Sequence, residues 1–294
     1  MTSTASPNSN VKGMAWMVVS GICFVGVYIG VKFVGTRLPA AESAFIRYAM
    51  GLLFLVPTLP MMLREGVDKT SAQFFAARGV IHTIAVLLWF FAMARLSVAE
   101  VAAMGYMTPV FVTIGAMIFF GERLALRRAM AIALAVVGVI VILRPGVEVI
   151  TSGHVAMLAS TVFMGSSYLT IKRLTPQNSP AMIVGMLSLT VTIGLFPLAM
   201  LDWMQPTMTE LMWLAIVAVS ATAGHFAMTF AYRYAPLTVT QPMTFLQLVW
   251  SVAVGFLLFG EAIDVFVILG GLTIVAAVIY ITYREAQLKR QASA

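Results

Sequence analysis

Residues 234–260 read YAPLTVTQPMTFLQLVWSVAVGFLLFG, 27 residues without a single Asp, Glu, Lys or Arg. The hydrocarbon core of a bilayer is about 30 Å thick, and an α-helix of about 20 apolar residues crosses it. This stretch is long enough with residues to spare. Nine more uncharged windows lie on its two sides, at 13–31, 48–63, 79–94, 101–121, 129–143, 151–171, 174–201, 211–232 and 265–283. Together they predict an all-α membrane protein of ten transmembrane helices. The second, third and fifth windows are short, so those helices must extend past a flanking charge and take in Arg47, Arg78 or Arg128.

Composition agrees. Apolar side chains make up 61% of the 294 residues and charged ones 10%, where a soluble domain carries roughly a quarter charged residues. The net charge of +7 is spread between apolar segments rather than gathered in a patch, so nucleic acid is not an expected partner. The first ten residues are polar without a basic cluster, and the run after Lys12 is too long for a signal-peptide core, which predicts a retained first span. Cys23, the single cysteine, allows no internal disulfide. Connections such as 95–98 and 260–264 leave no room for a soluble domain.

With the N-terminus cytoplasmic, twelve cations fall in inner connections, from Lys12 to Arg290, and only Arg37, Arg95 and Arg144 in outer ones. That bias predicts a multi-pass protein of the cell inner (cytoplasmic) membrane with both termini cytoplasmic.

The chain also repeats itself. Phe91-Ala92, followed by a helix ending Phe120-Gly121-Glu122, returns 139 positions later as Phe230-Ala231 and Phe259-Gly260-Glu261. Gly13, Ser20, Tyr28 and Lys32 meet Gly153, Ser160, Tyr168 and Lys172 at an offset of 140. Five spans per half, an odd number, would insert the halves with opposite orientation. The expected organisation is a tail at 1–12, a first repeat at 13–143, a second at 144–283 and a cytoplasmic tail at 284–294.

With Phe45-Ile46-Arg47-Tyr48 in helix two, and Tyr106-Met107-Thr108-Pro109 leading to Phe120-Gly121-Glu122-Arg123-Leu124, the chain resembles the drug/metabolite transporter superfamily, specifically its ten-helix EamA-type members. Arg78-Gly79 at the start of helix three is similar to the branch holding bacterial S-adenosylmethionine and riboflavin carriers. The resemblance, over about 13–283, implies alternating access around a central cavity lined mainly by helices one, three, four, six, eight and nine. One departure stands out: Leu248 occupies the position matching Pro109, and the nearby proline is Pro242.

Among individual residues Arg47 carries the sharpest signal. Counted from Pro39 it lies eight residues into helix two, about 12 Å at 1.5 Å per residue. A cation there costs at least ~2.5 kcal/mol and must face a cavity or a partner. It either binds substrate, through a phosphate, carboxylate or polar edge, or tethers neighbouring carbonyls. Lys32 and Arg78 sit near an interface and can snorkel. Glu42, Glu100 and His82 are candidates for proton coupling, with Glu100 placed to pair with Arg95 or Arg37. Tyr28, Trp89, Tyr106, Tyr168, Gln247, Trp250 and His225 join Arg47 as substrate-binding candidates. Their aromatic faces can stack a planar ring or hold a cationic group, and a buried amide needs partners. Phe111, Phe226, Thr108 and Gln241 lie nearby. For every one of these, helix packing is the competing role. Gly26 and Gly30 have the spacing that lets helices approach closely.

No GxxxxGK[ST] loop, HExxH motif, membrane aspartate dyad or serine–histidine arrangement occurs. No catalytic residue, metal or cofactor is expected. The expected partners are a small-molecule substrate and the lipid bilayer, with a homodimer left open. The predicted function is a secondary transporter of a small organic metabolite, taking up a heteroaromatic solute such as riboflavin or S-adenosylmethionine. Export of amino acids or small drugs is the second reading, and an intramembrane enzyme the reading from another class.

Overall fold

The computed structural model describes residues 7–120, 126–174, 177–235 and 237–292. Gly121 and the side chains of Glu122, Lys172 and Gln241 lie outside what it describes. The chain forms α1 (Pro7–Val34), α2 (Ala40–Leu53), α3 (Leu59–Glu65), α4 (Lys69–Met93), α5 (Val98–Gly105) and α6 (Met107–Phe120). These are followed by α7 (Leu126–Leu143), α8 (Ser152–Leu174), α9 (Pro180–Leu201), α10 (Met208–Tyr234), α11 (Leu237–Phe259) and α12 (Val265–Ala292). Among the described residues there is no strand.

Two sequence windows hold two helices each, and proline accounts for both breaks. Pro57 and Pro60 bias the residues before them away from helix, and the chain bends by 50° between α2 and the segment that includes α3. Pro109 has no N–H to give the Gly105 carbonyl and its ring crowds that carbonyl, so the helix stops at Tyr106. It restarts as α6 with Pro109 in its first turn, where no N–H is missed. In α11, with Leu248 at the matching position, the helix is unbroken.

Helix starts follow local chemistry. Asp68 caps α4 by accepting from Thr70 N at 3.0 Å and Ser71 N at 3.2 Å. Ser97 with Glu100, and Thr207 with Glu210, form capping boxes on α5 and α10.

The longest packing seams pair α1 with α10, α4 with α8, α7 with α12 and α2 with α9. Small residues let the backbones meet. A β-carbon on Gly30 would stand 2.4 Å from Val217 Cγ2 across the α1–α10 seam, and one on Gly138 would stand 2.7 Å from the Gly270 carbonyl across α7–α12.

Among the described residues four helices are long and apolar enough to cross a membrane alone, and a fifth span results if the bent α2–α3 pair counts as one. Leu53, Leu63, Ile118, Leu201 and Leu257 are each more than two-thirds exposed, a surface suited to acyl chains rather than water.

One sequence expectation is corrected. Arg78 does not snorkel: α4 begins at Lys69, so Arg78 lies more than two turns in, is 4% exposed, and donates Nη1 to the Ile183 carbonyl at 3.3 Å.

Candidate functional site

Where the helices diverge they leave a cavity of about 590 Å³, within the range that holds a drug-sized ligand. Its walls come from α1, α2, α4, α5, α6, α8, α10 and α11, with Val278 of α12. Seven of the eight substrate-binding candidates line it: Tyr28, Arg47, Trp89, Tyr106, Tyr168, His225 and Gln247, together with His82 and Thr108. The eighth, Trp250, does not. Its ring packs where a β-carbon on Gly21 would stand 3.2 Å from it, filling the α1–α11 contact.

One end of the cavity is basic. The Arg47 guanidinium lies over the Tyr48 ring, 4.0 Å from its centroid. The Tyr48 hydroxyl meets His82 Nε2 at 3.2 Å, and His82 Nδ1 meets Ser167 Oγ at 3.0 Å. Both imidazole nitrogens are thereby engaged, which fixes the ring across α2, α4 and α8. His225 packs edge-on against Phe24 at 5.1 Å.

The other part is aromatic. Trp89 lies seven residues beyond His82 on α4, about 10 Å along the helix, and faces Tyr28 at a centroid distance of 5.8 Å. Gln247 Nε2 donates to the Tyr28 hydroxyl at 2.9 Å, so the α11 amide has a partner inside the cavity wall. The Tyr106 hydroxyl donates to the Thr244 carbonyl, joining the α5–α6 break to α11.

Glu42 and Glu100 lie away from the cavity. Glu42 is fully buried, and its Oε2 accepts from Met204 N at 3.0 Å. Glu100 completes the α5 cap and meets His154 Nε2 at 3.0 Å. The expected pairing of Glu100 with Arg95 or Arg37 is not formed: Arg95 stacks over Phe91, 3.5 Å from the centroid, and Arg37 pairs with Glu210. Lys32 also has a specific partner. Its Nζ lies 2.9 Å from Glu261 Oε1, while Glu261 Oε2 accepts from Val98 N at 2.9 Å.

Sequence reasoning missed Tyr48, Ser167 and Glu261. Tyr48 adjoins Arg47, and its signal was that proximity; Ser167 and Glu261 become visible only once distant helices are packed.

A family model for EamA-like transporters matches the chain twice, over residues 11–144 and 151–283. The chain belongs to the EamA-like transporter family. It is therefore a multi-pass membrane protein. Three relatives are similar over nearly their whole length. A riboflavin transporter of Vibrio cholerae is 26% identical over 95% of this chain and 96% of its own. A pseudopaline exporter of Pseudomonas aeruginosa is 26% identical over 91% of this chain and 94% of its own. An S-adenosylmethionine uptake transporter of Rickettsia bellii is 23% identical over 93% and 94%. In this EamA-like transporter the cavity is where most of the candidate residues converge.

Proposed function

We propose that this EamA-like transporter takes up a small heteroaromatic metabolite by alternating access, with the cavity as its binding site. The observation that carries the reading is the cavity itself, in which a cation, a fixed imidazole and an aromatic pair converge from helices distant in sequence. Arg47 contacts the solute, Tyr28 and Trp89 hold its ring, and Tyr106, Tyr168, His225 and Gln247 complete the wall. Of the relatives, the riboflavin and S-adenosylmethionine transporters supply the first solutes to try.

Ten spans in two inverted halves complete the proposal, divided at about residue 143, with α2–α3 and α5–α6 each counted as one span. Several observations support it. The family model matches each half once. Exchanging the halves turns the α1–α10 seam into α8–α4, and α1–α11 into α8–α6, all of which are packed pairs. Ser20 Oγ donates to the Gly224 carbonyl at 2.9 Å and Ser160 Oγ to the Ala85 carbonyl at 2.7 Å, two bonds related by the same offset of 139 to 140. Both termini then face the cytoplasm and the protein resides in the inner membrane.

Accumulation of radiolabelled riboflavin or S-adenosylmethionine by cells carrying the gene tests the reading. Uptake that Arg47→Ala abolishes, with the variant still present in the membrane, is the expected result. Failure to accumulate any heteroaromatic solute, together with raised tolerance of amino-acid analogues, would overturn it in favour of export.

A further inference from the structure

The cavity is unbalanced in charge. Among its described lining residues Arg47 is the one with a permanent charge, and there is no Asp or Glu. Outside the lining, one turn before His82 on α4, lies a second guanidinium: Arg78 is buried, donates Nη1 to the Ile183 carbonyl and has an Nε without a partner. Neither arginine forms an ion pair among the described residues. Glu42, Glu100 and Glu261 lie outside the lining and have other partners: Glu42 accepts from Met204 N, Glu100 meets Ser97 and His154, and Glu261 pairs with Lys32. Two uncompensated cations in a low-dielectric setting leave the site short of a counter-charge, which the membrane surroundings do not provide.

The charge is also displaced from the rings. Arg47, Tyr48 and His82 touch in series, and Trp89 with Tyr28 lies about 10 Å further along α4.

Resting on the transporter reading above, we infer that the transported solute is an elongated organic anion: a planar ring system seated against Tyr28 and Trp89, joined by a short tail to an acid group held by Arg47. Guanidinium geometry suits either acid, since a carboxylate and a phosphate both accept its paired N–H groups. S-adenosylmethionine also carries a carboxylate, but beside it an ammonium and a sulfonium that meet the like charge of Arg47, which disfavours it against a flavin-like solute bearing an acid alone.

The test compares molecules that share a ring and differ in the tail. Binding of riboflavin, riboflavin 5′-phosphate, a 5′-succinyl ester of riboflavin and S-adenosylmethionine is measured on the full chain purified in detergent. At least one acidic flavin is expected to bind roughly tenfold or more tightly than riboflavin, the ratio a charge-assisted hydrogen bond supplies. Which ester gains identifies the acid as phosphate or carboxylate. Arg47→Gln should bring that ratio towards one, and Arg47→Lys, which keeps charge but loses the fork, should retain part of it. If neither acidic flavin outbinds riboflavin, if S-adenosylmethionine binds best, or if Arg47→Gln leaves the ratio unchanged, the inference fails. Uptake into proteoliposomes separates the two levels: riboflavin accumulating without preference for acid sinks the anion inference alone, whereas no accumulation of any of the four sinks the proposed uptake of a heteroaromatic solute with it.

Discussion

At the scale of single residues, position in a helix decided what each charge does. Asp68, Glu100 and Glu210 all sit at helix starts, where free N–H groups draw a carboxylate in. Asp68 lies outside the membrane segments, and the Ser71 hydroxyl, with the backbone N–H groups of Ser71 and Thr70, holds its carboxyl below the usual aspartate value. The fold thus favours the ionised form. Its contribution to stability is complete above the unfolded value, about 3.9, and is lost as pH falls through the lower folded value. In thermal melts of the detergent-solubilised protein, the wild type should lose more stability below about pH 4 than Asp68→Asn, whose amide still caps but does not titrate there. Parallel melting curves for the two proteins would remove the cap's ionic role. Arg47 could be read from sequence because depth alone makes a mid-helix cation expensive. The partners of Arg37, Lys32 and Glu100 could not, because Glu210, Glu261 and His154 reach them only through packing of helices 54 to 229 residues away.

Elements were legible wherever a run of apolar residues had room to span, as in α1, α9 and α10. They were less legible at the breaks, since a hydrophobicity window does not register that Pro109 denies Gly105 its hydrogen bond. The seams between elements carry a clear expectation. On α1, Gly30 meets Val217 so closely that even a methyl group overlaps it, and the Trp213 carbonyl is 3.3 Å from the same point. On α2, Gly51 has nothing within 4 Å of its would-be β-carbon. Gly30→Ala should therefore destabilise by about 1–3 kcal/mol, the usual cost of overpacking. Gly51→Ala should be neutral or stabilising by up to about 1 kcal/mol, from helix propensity. Differential scanning fluorimetry on both variants checks the contrast. Equal melting temperatures would mean that the α1–α10 seam gives way more easily than its geometry indicates.

For the whole molecule, the repeat offset read from sequence agrees with two matches of the family model, but a contact between α1, α5 and the end of α11 becomes visible only once the helices are packed. Lys32 at the end of α1 and Glu261 after α11 form an ion pair; Lys32 also donates to the Leu96 carbonyl and Glu261 accepts from Val98 N. Along the chain this knot follows the last lining residues of α1 and α4, Tyr28 and Phe90, and precedes the first of α5, Ala102. In an alternating-access carrier it must open for solute to pass on that side. Only a solute that binds the open and shut forms unequally can shift the balance. Replacing Lys32 by Met removes the charge that holds Glu261 and the hydrogen bond to the Leu96 carbonyl. The native chain has one cysteine, Cys23, so a Cys23→Ser background carrying Ala102→Cys reports access to the cavity from the face where α1 ends. With a membrane-impermeant thiol reagent on that face, labelling of Cys-substituted Ala102 should be slow when Lys32 is present and several-fold faster in Lys32→Met or Glu261→Gln. The two changes combined should give no further increase, because each breaks the same pair. Labelling that is equally fast in all four proteins would show that this end is open already, and that the ion pair stabilises the fold without closing the path.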